Sequence, residues 1–162
     1  TLNELSKLGY KIVPESAIEI ISELNQKLGV EEQILWRSSH VVEFQVMVAQ
    51  RKAKEILKAQ ESLIFLDRDI LDCLAFCELR GVKPTPELLH IVDQNKPSLL
   101  FLLDTLSNFQ QKIGTGRTCD KETSIMVNKL IRKVYEARKI PVIRVKEGPV
   151  SESVKFILEN LK

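Results

Sequence analysis

Leu63-Ile64-Phe65-Leu66-Asp67 is the stretch on which the fold of this chain turns. Four apolar residues follow one another and an aspartate ends them. A strand with one wet face would alternate apolar and polar residues, so an unbroken run points to a strand covered on both faces, as in a parallel sheet. Leu99-Leu100-Phe101-Leu102-Leu103-Asp104 has the same form. Between the two runs lie a helical pattern from about Ile70 to Leu79, a break at Gly81, Pro84 and Pro86, and a short helix over 86–93. Strand, helix and strand in that order are the parts of a right-handed crossover unit.

Outward from this centre the alternation continues. Residues 2–8 carry Leu2, Leu5 and Leu8 at helical spacing, and Gly9 stops the run as a C-terminal glycine does. Tyr10-Lys11-Ile12-Val13-Pro14 is a short β-rich segment, and residues 16–28 place Ile18, Ile21 and Leu24 on one helical stripe. A long helix is expected over 41–59, wet along its second half. On the C-terminal side, 105–121 is polar and loop-like around Ile113-Gly114-Thr115-Gly116, a helix occupies roughly 122–138, and Pro141–Val145 is the last strand. The closing helix spans 151–161 with Ser151 as its N-cap. The whole reads as a single α/β domain over 1–162, three layers deep, with a parallel sheet between helices. A doubly wound domain begins with a strand, whereas this sequence opens in a helix. A first strand and the turn after it are therefore expected ahead of Thr1.

Composition narrows the function classes. Of 162 residues, 44% are apolar and 28% charged, and 24 Lys+Arg against 22 Asp+Glu leave a formal charge of +2. Nucleic-acid binders usually show a clustered basic excess, so no nucleic-acid partner is expected. No apolar run approaches the ~20 residues that span a bilayer, and no signal peptide opens the sequence, so no membrane partner is expected and a cytoplasmic location is. Cys73, Cys77 and Cys119 form no disulfide framework, and Cys73 and Cys77, four apart on a helix, read as core thiols.

Thr1 to Glu15 (TLNELSKLGYKIVPE) resembles the stretch that follows the glycine-rich loop in P-loop NTPases. It is closer still to the AAA-like ATPase/kinase domains related to ribosylnicotinamide kinase and deoxynucleoside kinases. The resemblance runs on through Phe65-Leu66-Asp67-Arg68-Asp69-Ile70-Leu71-Asp72, Leu102-Leu103-Asp104, Gly116-Arg117-Thr118-Cys119-Asp120 and Val154-Lys155-Phe156-Ile157-Leu158. It implies a P-loop kinase-like fold that takes ATP with Mg2+. Two departures stand out. The phosphate loop (Walker A segment) is not in the sequence, and Ile18 occupies a position where the family often has an arginine.

Candidate residues follow from position and from that resemblance. Helix 2–8 would be the phosphate-binding helix, its positive dipole end toward the anion, with Thr1 either the Mg2+-binding hydroxyl or the residue after it. Asp67 ends the central strand at the edge where open α/β sheets hold ligands. A carboxylate there can hold Mg2+, and can equally cap the next helix, as can Asp69. Arg68 is either a phosphate contact or the partner of Asp67 in an ion pair. The similar deoxynucleoside kinases imply Glu15 as the base that accepts the acceptor's hydroxyl proton; the alternative is a helix-start glutamate. They also imply Arg117 as a lid arginine over the phosphates, with Lys112 and Lys121 as weaker lid residues in the loop 105–121; the alternative is a solvated loop. Phe44, Gln45 and Arg51 are placed by the same resemblance on the acceptor, and Pro149 and Val150 (of Lys146–Val150) on the adenine side. Trp36 is either a stacking residue or core. The function expected is ATP-dependent transfer of the γ-phosphoryl group to a small hydroxyl acceptor, a nucleoside or nucleotide. A hydrolase or nucleotide switch, and a binding domain without a working nucleotide site, stand beside it. Oligomeric state is left open.

Overall fold

Residues 1–108 and 120–161 are described by a computed structural model. Its elements are α1 (Leu2–Lys7), β1 (Lys11–Val13), α2 (Ser16–Leu28), α3 (Val30–Ser39), α4 (Val41–Lys58), β2 (Ile64–Leu66), α5 (Asp72–Leu79), α6 (Pro86–Gln94), β3 (Leu100–Leu103), α7 (Lys121–Ala137), β4 (Val142–Val145) and α8 (Val150–Glu159). The expected α/β alternation is present, with ends moved by a residue or two.

Gly9 follows α1 with φ +91, a value that side chains other than glycine rarely tolerate, and the Tyr10 N–H donates to the Leu5 carbonyl across the turn. That tight reversal sends the chain straight from α1 into β1. Gly29, at φ +86, separates α2 from α3. The sequence reading had no helix over 30–39: the Val-Glu-Glu-Gln-Ile-Leu-Trp run carries only a thin apolar stripe, and packing against α2 and α4 supports it instead. A second correction concerns the last helix. Pro149 occupies the N-cap position and Ser151 is already inside the helix, because the fixed φ of proline suits the entry to a helical turn.

All pairing is parallel. Lys11, Ile12 and Val13 register with Ile64, Phe65 and Leu66, and Leu100–Leu103 registers with Val142–Val145. Ile12, Phe65, Phe101 and Val145 all pack into one apolar cluster with Leu5 of α1 and Val154 and Ile157 of α8. Both strand pairs therefore belong to one layer. On the other face Leu100, Leu102 and Val142 meet the main core, built from Ala49 of α4, Leu74 and Cys77 of α5, Leu88 and Val92 of α6, and Ile131 and Tyr135 of α7. Phe101 points one way and its neighbours the other, which is the period-two alternation of a strand with both faces covered. Cys73 and Cys77 are buried core thiols, as expected.

Among the described residues the sheet is two pairs, β1–β2 and β3–β4, and β2 is not hydrogen-bonded to β3. The Asp67 N–H donates to the Val13 carbonyl at 2.8 Å, so alternate groups of β2, those of Ile64 and Leu66, face away from β1. In β3 the Leu100 and Asp104 N–H groups donate to Pro141 and Val145, at 2.9 and 3.0 Å, and leave those of Phe101 and Leu103 facing away from β4. The residues of β2 are accordingly half-buried rather than enclosed. Among the described residues no helix is long and apolar enough to cross a membrane.

Candidate functional site

Parallel pairing puts the ends of β1 and β2 side by side. β1 runs into Pro14-Glu15 and β2 into Asp67-Arg68, so residues far apart in sequence leave adjacent strands at the same edge. Lys52 of α4 lies beneath this junction. It is 1% exposed, and its ammonium donates to the carbonyl of Pro14 and, at 3.0 Å, to that of Asp67. Burial lowers the Lys52 pKa, while the nearby carboxylates of Glu55, Asp67, Asp69 and Glu15 act against that shift. One turn along α4, Glu55 accepts a hydrogen bond from the buried Ser16 hydroxyl at 2.8 Å, which fixes the start of α2.

Glu15 stands at the N-cap position of α2 but makes no side-chain capping bond. Asp67 is not a cap either, since Leu71 holds that position for α5. Its half-buried carboxylate accepts no side-chain or backbone hydrogen bond and joins no ion pair among those of the described residues. A carboxylate is the kind of hard oxygen donor that a divalent cation takes. Thr1 is the N-cap residue of α1, its carbonyl accepting from the Glu4 and Leu5 N–H groups and its hydroxyl making no capping bond.

Arg68 follows Asp67 with φ +59, a left-handed backbone that costs a non-glycine residue of order 1 kcal/mol. Its guanidinium does not pair with Asp67; Nη1 lies 3.7 Å from Oδ2 of Asp72. Asp72 and Asp69 sit in the buried turn behind, where the Tyr135 hydroxyl of α7 donates to Asp72 at 2.9 Å and reaches Asp69 at 3.3 Å. Burial, and then the charge of Asp72, push Asp69 up to about 6. Burial also raises Asp72, against the pull of Arg68. The turn after β2 is thus a strained backbone on a buried acid pair whose hold on protons is strengthened by burial.

Of the expected acceptor residues, Phe44 and Arg51 lie on the α2-facing side of α4. Phe44 is buried with Ile20 and Ile21, and the Arg37 guanidinium lies 5.3 Å over its ring. Gln45 is buried too. Arg51 is engaged by Glu23 through two bonds of 2.8 and 3.0 Å, with Glu19 at 3.4 Å. Trp36 packs on the same cluster and stacks with His40, ring centroids 4.9 Å apart.

At the end of the second pair, Asp104 is held by Arg144 through bonds of 2.6 and 2.9 Å, and this guanidinium keeps its carboxyl below the usual range. Glu147 accepts from the Ser107 N–H at 3.0 Å and from its hydroxyl at 2.9 Å, and Lys121 donates to the Ser107 carbonyl. The loop after β4, with Pro149 and Val150, is thereby tied to the one after β3. Arg117, Lys112 and Cys119 lie outside the described residues. Among the described residues no cluster of three or more His, Cys, Asp or Glu forms a ready metal site, so a cation here would draw its remaining ligands from elsewhere.

Lys52, Asp72 and Tyr135 escaped the sequence reading. Lys52 carried a usable signal: with Phe44, Gln45 and Ala49 it falls on the buried stripe of α4. A family model described as an AAA domain matches residues 1–153. No curated protein and no solved structure matches the chain.

Proposed function

We propose that this chain, which belongs to the AAA domain family, is the nucleotide-binding domain of a kinase that moves the γ-phosphoryl group of ATP to a hydroxyl of a small acceptor, a nucleoside or nucleotide. The family consists of P-loop proteins that bind nucleotide, and the kinase activity is our extension. The observation that carries it is the meeting of Glu15 and Asp67 at neighbouring strand exits over Lys52. Phosphoryl transfer asks little covalent chemistry of a protein. It needs a base at the acceptor, a carboxylate on the metal and cations near the phosphates, all in register.

Among the described residues β2 and β3 each keep one unpaired edge, and one further strand between them would pair both. The expected first strand and phosphate loop, entering α1 from that position, would set backbone N–H groups beside the same edge. Packed on the layer and linked to β1 through the turn at Gly9, α1 would run back against the strands and bring its N-terminus toward the strand exits.

Asp67 and the Thr1 hydroxyl would hold Mg2+, and ATP with its metal would supply the activated phosphoryl group. Glu15 would take the proton from the acceptor hydroxyl. Arg68 would exchange Asp72 for a phosphate oxygen, and Arg117 would close over the phosphates. Pro149 and Val150 would flank the adenine. Phe44, Gln45 and Arg51 would shape the acceptor side from α4, Arg51 reaching an acceptor only by leaving Glu23.

The test is ADP release from ATP and Mg2+ with and without a panel of nucleosides and nucleotides. The kinase reading expects one acceptor class to raise turnover about tenfold or more over water. Equal rates with and without every acceptor would make the protein a hydrolase. Absence of both turnover and nucleotide binding would leave the binding-domain reading.

A further inference from the structure

Lys52 is buried where the chain had cheaper choices. Lys54 and Lys58 on the same half of α4 are exposed, so a surface lysine was within easy reach of the same sequence. Taking an ammonium out of water is costly unless its donors are satisfied and its charge is compensated. Two of its three donors are satisfied, and its charge is compensated. Two donors end on main-chain carbonyls, those of Pro14 and Asp67, and the carboxylates of Glu15, Glu55, Asp67 and Asp69 surround the charge. Those two carbonyls belong to the residue before one candidate catalytic group and to the other group itself. An apolar side chain at this place would fill the volume and leave both strand exits untied.

We propose that Lys52 is the positioning residue of this site: by drawing the Pro14 and Asp67 carbonyls onto one ammonium it sets the separation of Glu15 and Asp67. The catalytic consequence rests on the kinase reading above, whereas the geometric one does not. Lys52 touches no substrate in this account and acts only through the two strand ends. The last rung of the β1–β2 ladder, the Asp67 N–H on the Val13 carbonyl, reports that geometry directly. The Asp104 N–H on the Val145 carbonyl is the matched rung of the other pair and serves as the control.

The experiment uses the full-length protein with Lys52→Met, which keeps the stem and removes the charge, and Lys52→Arg, which restores a cation. Lys52→Gln stands in where the methionine variant does not fold. Amide hydrogen exchange without ligand is read first. In Lys52→Met or Lys52→Gln the Asp67 amide should exchange about tenfold faster or more while Asp104 keeps its protection. Under turnover, kcat should fall about 100-fold with the KM for ATP nearly unchanged, since misplacement of reacting groups costs rate rather than affinity. Lys52→Arg should recover part of both. Unchanged Asp67 exchange, or an equal rise at Asp67 and Asp104, overturns the proposal whether or not the protein is a kinase. A wild-type protein without phosphoryl transfer overturns the kinase reading alone, and the exchange contrast then still decides the role of Lys52.

Discussion

Replacing Asp69 by asparagine should make the protein more stable at neutral pH, by an amount that grows with pH. Asp69 is 9% exposed, with the Asp72 carboxylate and the Tyr135 hydroxyl beside it and the Arg68 and Lys52 cations nearby. Burial first, and the charge of Asp72 second, raise its pKa from 3.8 to about 6, against the opposing hydrogen bonds of the Ile70 N–H and Tyr135. A folded pKa above the unfolded one means that the native state holds the proton more tightly. The resulting stabilisation is complete below about pH 3.8 and is lost as pH rises through about 6. At about 1.4 kcal/mol for each tenfold change in proton affinity, the whole swing is about 3 kcal/mol, of which about 2 falls between about pH 4 and pH 7.5. Asparagine cannot ionise, yet its carbonyl oxygen still accepts from Tyr135. Urea unfolding of wild type and Asp69→Asn at several pH values in that interval reads the difference directly. Glu23, Asp104 and Asp120, held low by their partners, push stability the other way in acid, but they are common to both proteins and cancel. A difference that stays flat with pH, or that shrinks as pH rises, would refute the reasoning.

Glu15→Gln keeps the shape of the group and removes its basicity. It should cut kcat at least about 100-fold while ATP affinity stays within about threefold, in steady-state kinetics backed by nucleotide titration. Were only affinity to change, Glu15 would not be the base. Arg68→Gly relieves the left-handed backbone and deletes the guanidinium, so thermal unfolding should shift by no more than about 1 kcal/mol in stability while the KM for ATP rises about tenfold. An unchanged KM would leave Arg68 as a structural partner of Asp72.

Much of the fold was legible because apolar runs and glycines speak locally. Phe65 and Phe101 sit in unbroken apolar runs that need no tertiary knowledge to read as strands, and Gly9 marks the end of α1 by its own backbone demand. What the sequence hid depends on contacts between distant segments. Val30–Ser39 is helical through its neighbours rather than its pattern, and the run 63–66 could not tell that β2 would keep one edge open. The site was half legible. Asp67 and Glu15 follow strands, and that alone put them at a sheet edge. Lys52 looked like a surface lysine in a wet half-helix until α4 was laid beneath the strand exits. Arg51 and Phe44, chosen by resemblance, turn out to be held by Glu23 and by the α2 cluster, which residue type alone could not reveal.

The central claim is that the exit of β2 binds nucleotide through a metal on Asp67. It is tested most directly by calorimetric titration of ATP into the full-length protein and its Asp67→Asn variant, each with Mg2+ and with a chelator. Saturable binding to the wild type, weakened about tenfold or more by Asp67→Asn with Mg2+ and unaffected by the substitution in chelator, is the predicted result. Absence of binding to the wild type, or equal loss in both conditions, would contradict it.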